Sequence, residues 1–376
     1  MTDLRKSVLN RNPRNFGMGR NHGDFTPLKP TEYFDTEEKV QTVNGNFHIY
    51  RKGNSGPVLC CLHGGGYSGL TWALFAVEIC NNIDCQVIAI DLRGHGETST
   101  NDDANLALST LSQDVASVVE KICENSDTPV ILIGHSMGGA IAVDAAHLLD
   151  CVAGLCVIDV VEGTALEALS SMQNILRGRP SSFSSLENAI QWCFKSGQTR
   201  NIEAARISMP GQVQKIDNKN AVDKSECTNN SAIQEVEEED ETLKEENFAK
   251  PPLPKKASLP ATNSTSTSSS STYIWRIDLK KTEKFWTGWF QGLSQKFLEL
   301  QIPKILLLAN IHGLDTALTV GQMQGKFQFQ VLAKSGHAIH EDQPHRVAEI
   351  ISVYLVKHKL ANPKEGYEVP LPKMFV

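Results

Sequence analysis

The chain has 376 residues, 40% of them hydrophobic and 21% charged, enough to bury a large core and ordinary for a soluble globular enzyme. Its formal net charge of −7 is local: residues 217–250 hold eleven Asp/Glu against four Lys, so the rest of the chain is about neutral and offers no nucleic-acid surface. No apolar run of about 18 residues is present, so no membrane span is expected. The nine cysteines form no C-x-x-C pair, and Cys60, Cys61 and Cys156 sit in apolar runs. They read as buried thiols of a cytoplasmic or nuclear protein, with neither a disulfide framework nor a zinc site.

Residues 1–40 carry Arg5, Lys6, Arg11, Arg14 and Arg20 and three prolines, with no signal-peptide apolar stretch, and read as an irregular lead-in. From about residue 41 strands and helices alternate, the pattern of a mostly parallel central sheet flanked by helices. Strands are expected at 47–50, 58–62, 87–91, 130–133, 155–160, 305–309 and 327–332. Helical spacing covers 72–83, 110–124 and 137–149, with Leu111, Val115, Val118, Val119 and Ile122 on one stripe of the second. After Val161 the sheet pattern gives way to a helical cap over about 163–213, with helices at 165–176 and 186–195 and a capping box at Ser184-x-x-Glu187.

Residues 214–272 differ again. Eight of the twelve residues from Glu235 to Glu246 are acidic, and ten of the eleven at 262–272 are Ser or Thr. Such a stretch is expected to be a disordered insert, because its apolar surface is too small to offset chain entropy. The sheet core is expected to resume over 273–360, where Phe285, Trp286, Trp289, Phe290, Leu293 and Phe297 form a core stripe, and to end in a tail at 361–376.

Gly134-His135-Ser136-Met137-Gly138 directly follows the apolar run Val130–Ile133 and precedes a helix-forming segment. This is the strand–turn–helix context of Gly-x-Ser-x-Gly, the nucleophile elbow, which marks Ser136 as the nucleophile. His63-Gly64-Gly65-Gly66 after the 58–62 strand suits an oxyanion turn, with Gly65 and Met137 as the N–H donors. The base is expected in Gly336-His337-Ala338-Ile339-His340; His337 is preferred, and His340 reads as a supporting or helix-start residue. The acid is open between Asp159, a carboxylate at the end of an apolar run, and Asp315, which stands late after the 305–309 strand. His135 is expected to point away on the turn, His63 and Arg93 to be structural, and Arg177 with Arg179 to be a solvated surface pair. Acyl transfer of this kind requires no metal or organic cofactor.

The segments around Ser136 and His63, together with Ile158-Asp159-Val160-Val161-Glu162-Gly163, Gly321-Gln322-Met323-Gln324-Gly325-Lys326 and Gly336-His337-Ala338, resemble the protein phosphatase methylesterase family of α/β-hydrolases. The resemblance covers most of residues 40–360 and implies the α/β-hydrolase fold. It also implies Asp159 as the triad acid, and as substrate the methyl ester on the C-terminal leucine of the protein phosphatase 2A catalytic subunit, without nucleic acid or membrane as partners. A small-molecule carboxylesterase or lipase of the same fold, or a phosphatase-binding protein acting by sequestration, are the alternatives.

Overall fold

The apolar runs become strands because both faces of one sheet are covered. The computed structural model describes residues 23–124, 126–216, 272–310 and 314–368. An antiparallel hairpin of β1 (Thr36–Thr42) and β2 (Gly45–Lys52) starts the sheet. Then come β3 (Val58–Leu62), α1 (Ala73–Asn82), β4 (Gln86–Ile90), short β5 (Ser99–Thr100), α2 (Leu108–Cys123), β6 (Val130–His135), α3 (Met137–Ala145) and β7 (Val152–Ile158). A second region follows, with α4 (Glu162–Arg177), β8 (Ser182–Phe183), α5 (Leu186–Ser196), α6 (Ile202–Ser208), β9 (Val213–Ile216) and β10 (Thr272–Trp275). The chain finishes with α7 (Glu283–Phe290), α8 (Leu293–Glu299), β11 (Lys304–Leu308), α9 (Thr316–Met323), β12 (Gln328–Val331), α10 (Ile339–Asp342) and α11 (Pro344–Lys357).

The main sheet runs β1-β2-β4-β3-β6-β7-β11-β12, with β5 paired to β2, and is parallel from β4 onward. Alternate residues of its central strands enter opposite cores, as the two-residue side-chain period requires. Val58, Cys60 and Leu62 of β3 and Val130 and Leu132 of β6 face the layer of α2 and α3. Leu59, Cys61, Ile131 and Ile133 face the layer of α1 and α11. Each fully buried Leu or Ile contributes roughly 1.5–3 kcal/mol, so near-continuous apolar runs are what such a strand needs. The stripe of α2 is buried at Leu111, Val115, Val118 and Val119, and Trp286, Trp289, Phe290, Leu293 and Phe297 join the same core.

Order begins earlier than the sequence pattern indicates, for β1 occupies the end of the expected lead-in. Its residues are mostly exposed, so no apolar period announces it; hydrogen bonding to β2 makes it a strand. The cap contains a three-stranded sheet, β8-β10-β9, as well as helices. Tyr273–Trp275 therefore belongs to the cap rather than to the second half of the core, packing with Phe183, Ile190, Cys193 and Met209. Helix α5 is capped one residue later than the Ser-x-x-Glu pattern suggests: Ser185 accepts the Asn188 N–H at 3.2 Å, and Ser184 takes the Asn188 amide instead. The start of the expected tail is also tied down, since Asn82 accepts the Lys364 N–H and Asn362 the Asp84 N–H. The acidic and Ser/Thr-rich insert lies almost wholly outside the described residues.

Candidate active site

Ser136 is the single residue between β6 and α3. Its backbone sits at φ 53°, ψ −121°, a conformation that costs a non-glycine residue roughly 1–3 kcal/mol. The turn is held by the Ser136 N–H on Ile158 O at 2.9 Å and by Ser136 O accepting the Gly139 N–H at 2.8 Å. A Cβ at Gly138 would stand 2.3 Å from Leu62 O, and one at Gly134 would stand 2.1 Å from Gly138 O. The glycines of the motif are thus required by backbone against backbone, with no flexible atom to yield.

Asp159 follows β7 on the adjacent strand end, also at a positive φ of 53°. One of its carboxylate oxygens accepts the Ala309 N–H at 2.9 Å, and the other lies 2.8 Å from Nδ1 of His337. Asp315 is elsewhere: it caps α9 through Leu318 N–H at 2.9 Å and accepts the Ser294 hydroxyl at 2.5 Å. The structure therefore brings Asp159, not Asp315, to the histidine. Ser136 and His337 line one cavity of about 460 Å3. Ala168, Met172, Ile175, Phe290 and Leu308 give that cavity apolar walls, and no Lys or Arg lines it.

The glycine turn after β3 lies against the elbow, where a Cβ at Gly64 would be 3.2 Å from that of Ser136. Two buried histidines brace it. Nδ1 of His63 bonds Gly64 O at 2.8 Å while its Nε2 accepts the Leu92 N–H at 3.0 Å. Nδ1 of His95 bonds Arg93 O at 2.9 Å while its Nε2 accepts the Gly66 N–H at 2.9 Å. Burial pushes the His63 pKa well down and that of His95 to about 4, so both stay neutral and can accept these N–H groups. With Gly66 used in this way, the Gly65 N–H and the first N–H of α3, that of Met137, have no hydrogen-bond acceptor among the described residues. His63 is structural as expected; nothing local in the sequence marks His95 as its companion.

The loop carrying His337 is gripped from the cap. Asp342 accepts the Gly336 N–H at 2.6 Å with one oxygen, and with the other the Thr199 hydroxyl at 3.0 Å and the Arg200 N–H at 2.7 Å. His340 is the second residue of α10 and is fully buried, stacked on Trp72, with Nε2 2.8 Å from the Thr71 hydroxyl, as suits a supporting residue. That hydroxyl donates to Glu341 at 2.5 Å. Burial raises the Glu341 pKa to about 7, against the pull of the Thr71 bond.

Arg93 is structural, paired to Asp114 in the interior. Arg179 departs from the solvated reading: its guanidinium stacks 3.8 Å from the Trp275 ring centroid, beside the Gly66 turn. His135 departs as well, for its ring lies 4.7 Å from that of His337 instead of pointing away. Of the cysteines, Cys60, Cys61, Cys80, Cys85, Cys156 and Cys193 are buried free thiols. Among the described residues no group of His, Cys, Asp and Glu is arranged to hold a metal ion, and no helix is long and apolar enough to cross a membrane.

Comparison with known proteins agrees with this architecture. Residues 58–350 match the model of the alpha/beta hydrolase family. The mouse protein named protein phosphatase methylesterase 1 is 48% identical, covering 95% of this chain and 91% of its own. The human protein of the same name is 47% identical with the same coverage. An esterase of Mycobacterium tuberculosis, 20% identical, superposes with a TM-score of 0.57 over 85% of this chain and 92% of its own, a likeness of fold. A family model spanning most of the chain, and relatives about half identical over nearly all of it, place this carboxylic ester hydrolase in the protein phosphatase methylesterase family of the α/β-hydrolases.

Proposed function

We propose that the chain is a serine esterase that demethylates the C-terminal leucine methyl ester of the protein phosphatase 2A catalytic subunit, with Ser136 as nucleophile, His337 as base and Asp159 as acid. The observation that carries this reading is the meeting of all three side chains on one open apolar cavity, in a chain about half identical to methylesterases along almost its whole length.

Asp159 takes Nδ1–H of His337, so Nε2 carries the lone pair that removes the Ser136 proton. The serine oxygen attacks the ester carbonyl, and the negative charge that develops on its oxygen is met by the N–H groups of Gly65 and Met137. The tetrahedral species collapses, breaking the bond to the methoxy group, which leaves as methanol with the proton from His337. Water, deprotonated by the same histidine, then splits the acyl-serine and leaves the leucine carboxylate. Met172, Ala168 and Phe290 offer an apolar wall to a leucine side chain. An ester is uncharged and enters such a cavity readily. The product carboxylate finds no cation there and faces Asp159, which favours release.

The test sets a peptide ending in leucine methyl ester, and the intact methylated phosphatase, against short aryl esters. Turnover of the methylated phosphatase, lost in Ser136→Ala, is expected. Efficient cleavage of aryl esters with no demethylation of the phosphatase would replace this reading with a small-molecule esterase.

A further inference from the structure

His135 ends β6 immediately before Ser136, and its ring is fully buried. It fills the space between three parts of the site. Its Nε2 lies 2.9 Å from the backbone carbonyl of His337. Its ring centroid is 4.7 Å from that of His337, 4.6 Å from that of His340, and 5.6 Å from Tyr67, which meets it edge-on. On the remaining side it touches the oxyanion turn so closely that a Cβ on Gly64 would stand 2.9 Å from Nδ1.

A carbonyl can only accept, so the proton of the neutral ring resides on Nε2. Nδ1 then has no hydrogen-bond partner among the described residues. Burial among other histidines keeps the ring neutral, with its pKa well below the ordinary range. The peptide bearing His337 is therefore fixed at two points: Asp342 holds the Gly336 N–H, and His135 holds the His337 carbonyl. The His337 side chain is itself half in solvent, with 53% of its surface exposed, so its direction depends on these backbone anchors and on Asp159.

We propose that His135 is a positioning residue that ties the base loop and the oxyanion turn to the nucleophile's own strand. It touches neither substrate nor proton in flight. Its effect is to keep the distance between Ser136 and His337 set by one side chain adjacent to the serine. This rests on Ser136 and His337 being the nucleophile and base.

Two conservative substitutions test it. The amide nitrogen of Gln reaches where imidazole Nε2 stands, whereas that of Asn stands in place of Nδ1 and cannot reach the His337 carbonyl. His135→Asn is expected to lower kcat roughly 10- to 100-fold on a leucine methyl ester peptide with KM little changed, since misplacement by about 1 Å has that order of cost. His135→Gln is expected to recover most of the loss at a similar melting temperature. If both variants turn over like the parent, or both lose activity equally, while Ser136→Ala and His337→Ala are inactive, the positioning role falls and the catalytic assignment stands. An active Ser136→Ala would remove both. Nitrogen-15 spectra of the parent enzyme give a test independent of how the variants fold. They should show the His135 proton on Nε2 with coupling to the His337 carbonyl; a proton on Nδ1 overturns the proposal.

Discussion

Two carboxylates of this molecule each hold a basic partner, and they are arranged in opposite ways. Arg93 gives Nε and Nη2 to the two oxygens of Asp114, at 2.6 and 2.8 Å, with side-chain exposures of 5% and 2%. Nη1 goes to the Thr100 hydroxyl and Asp102 O, and Asn44 adds a further bond to Asp114. That cluster is closed. Asp159 and His337 share one bond of 2.8 Å, with exposures of 16% and 53%, both line a cavity, and the other ring nitrogen has no hydrogen-bond partner among the described residues. A pair that only supports the fold has its hydrogen-bonding groups used up inside; a pair able to do chemistry keeps one valence open, and the backbone around it supplies the rigidity.

Substitutions can break this contrast in descending order of effect. Ser136→Ala is expected to cost at least about 10⁴ in turnover, close to 5.5 kcal/mol of barrier, with an unchanged melting curve. An equal loss of stability and rate would show that the elbow is merely structural. Arg93→Ala should do the reverse. It leaves Asp114 buried without its cation, which costs about 3–5 kcal/mol in denaturant unfolding, while the turnover of each folded molecule stays near the parent value. Glu341 gives a smaller, pH-dependent effect. Its pKa is raised from an ordinary 4.5 to about 7 by burial, so ionisation is penalised in the fold. Its penalty is absent below pH about 4.5, grows as pH rises to about 7, and is constant above, amounting to at most about 3 kcal/mol. Glu341→Gln should flatten that part of the stability–pH curve; a curve of unchanged slope would contradict the buried-acid reading. Asp315→Ala should cost only about 1 kcal/mol, the loss of an N-cap, with turnover within a few-fold of the parent.

The parts of the site that were legible in the sequence are those that depend on a few consecutive residues. The elbow is one, because Gly134 and Gly138 are required by contacts within the turn and with the next strand. The places of the glycine turn against Ser136 and of His337, rather than His340, beside Asp159 are others. Asp159 stood out as a charge in an apolar run, though residues alone left Asp315 open until the resemblance favoured Asp159. The parts that were not legible depend on distant partners. His135 meets the His337 carbonyl across 202 positions, and Asp342 meets Thr199 across 143. Strand β10 joins β9 although residues 217–271 lie between them in the chain. No local periodicity encodes such pairings, because each joins segments far apart in the chain that meet only in the assembled fold. The exposed strand β1 escaped for a related reason: it is held by ladder bonds to β2 and buries little of its own.

The most direct test compares Asp159→Asn with Asp315→Ala on the methylated phosphatase tail, each checked for folding. The account predicts a loss on the order of 10⁴ in kcat for the first and near-parent turnover for the second. Near-parent turnover in a folded Asp159→Asn enzyme, with the loss appearing in Asp315→Ala, would contradict it.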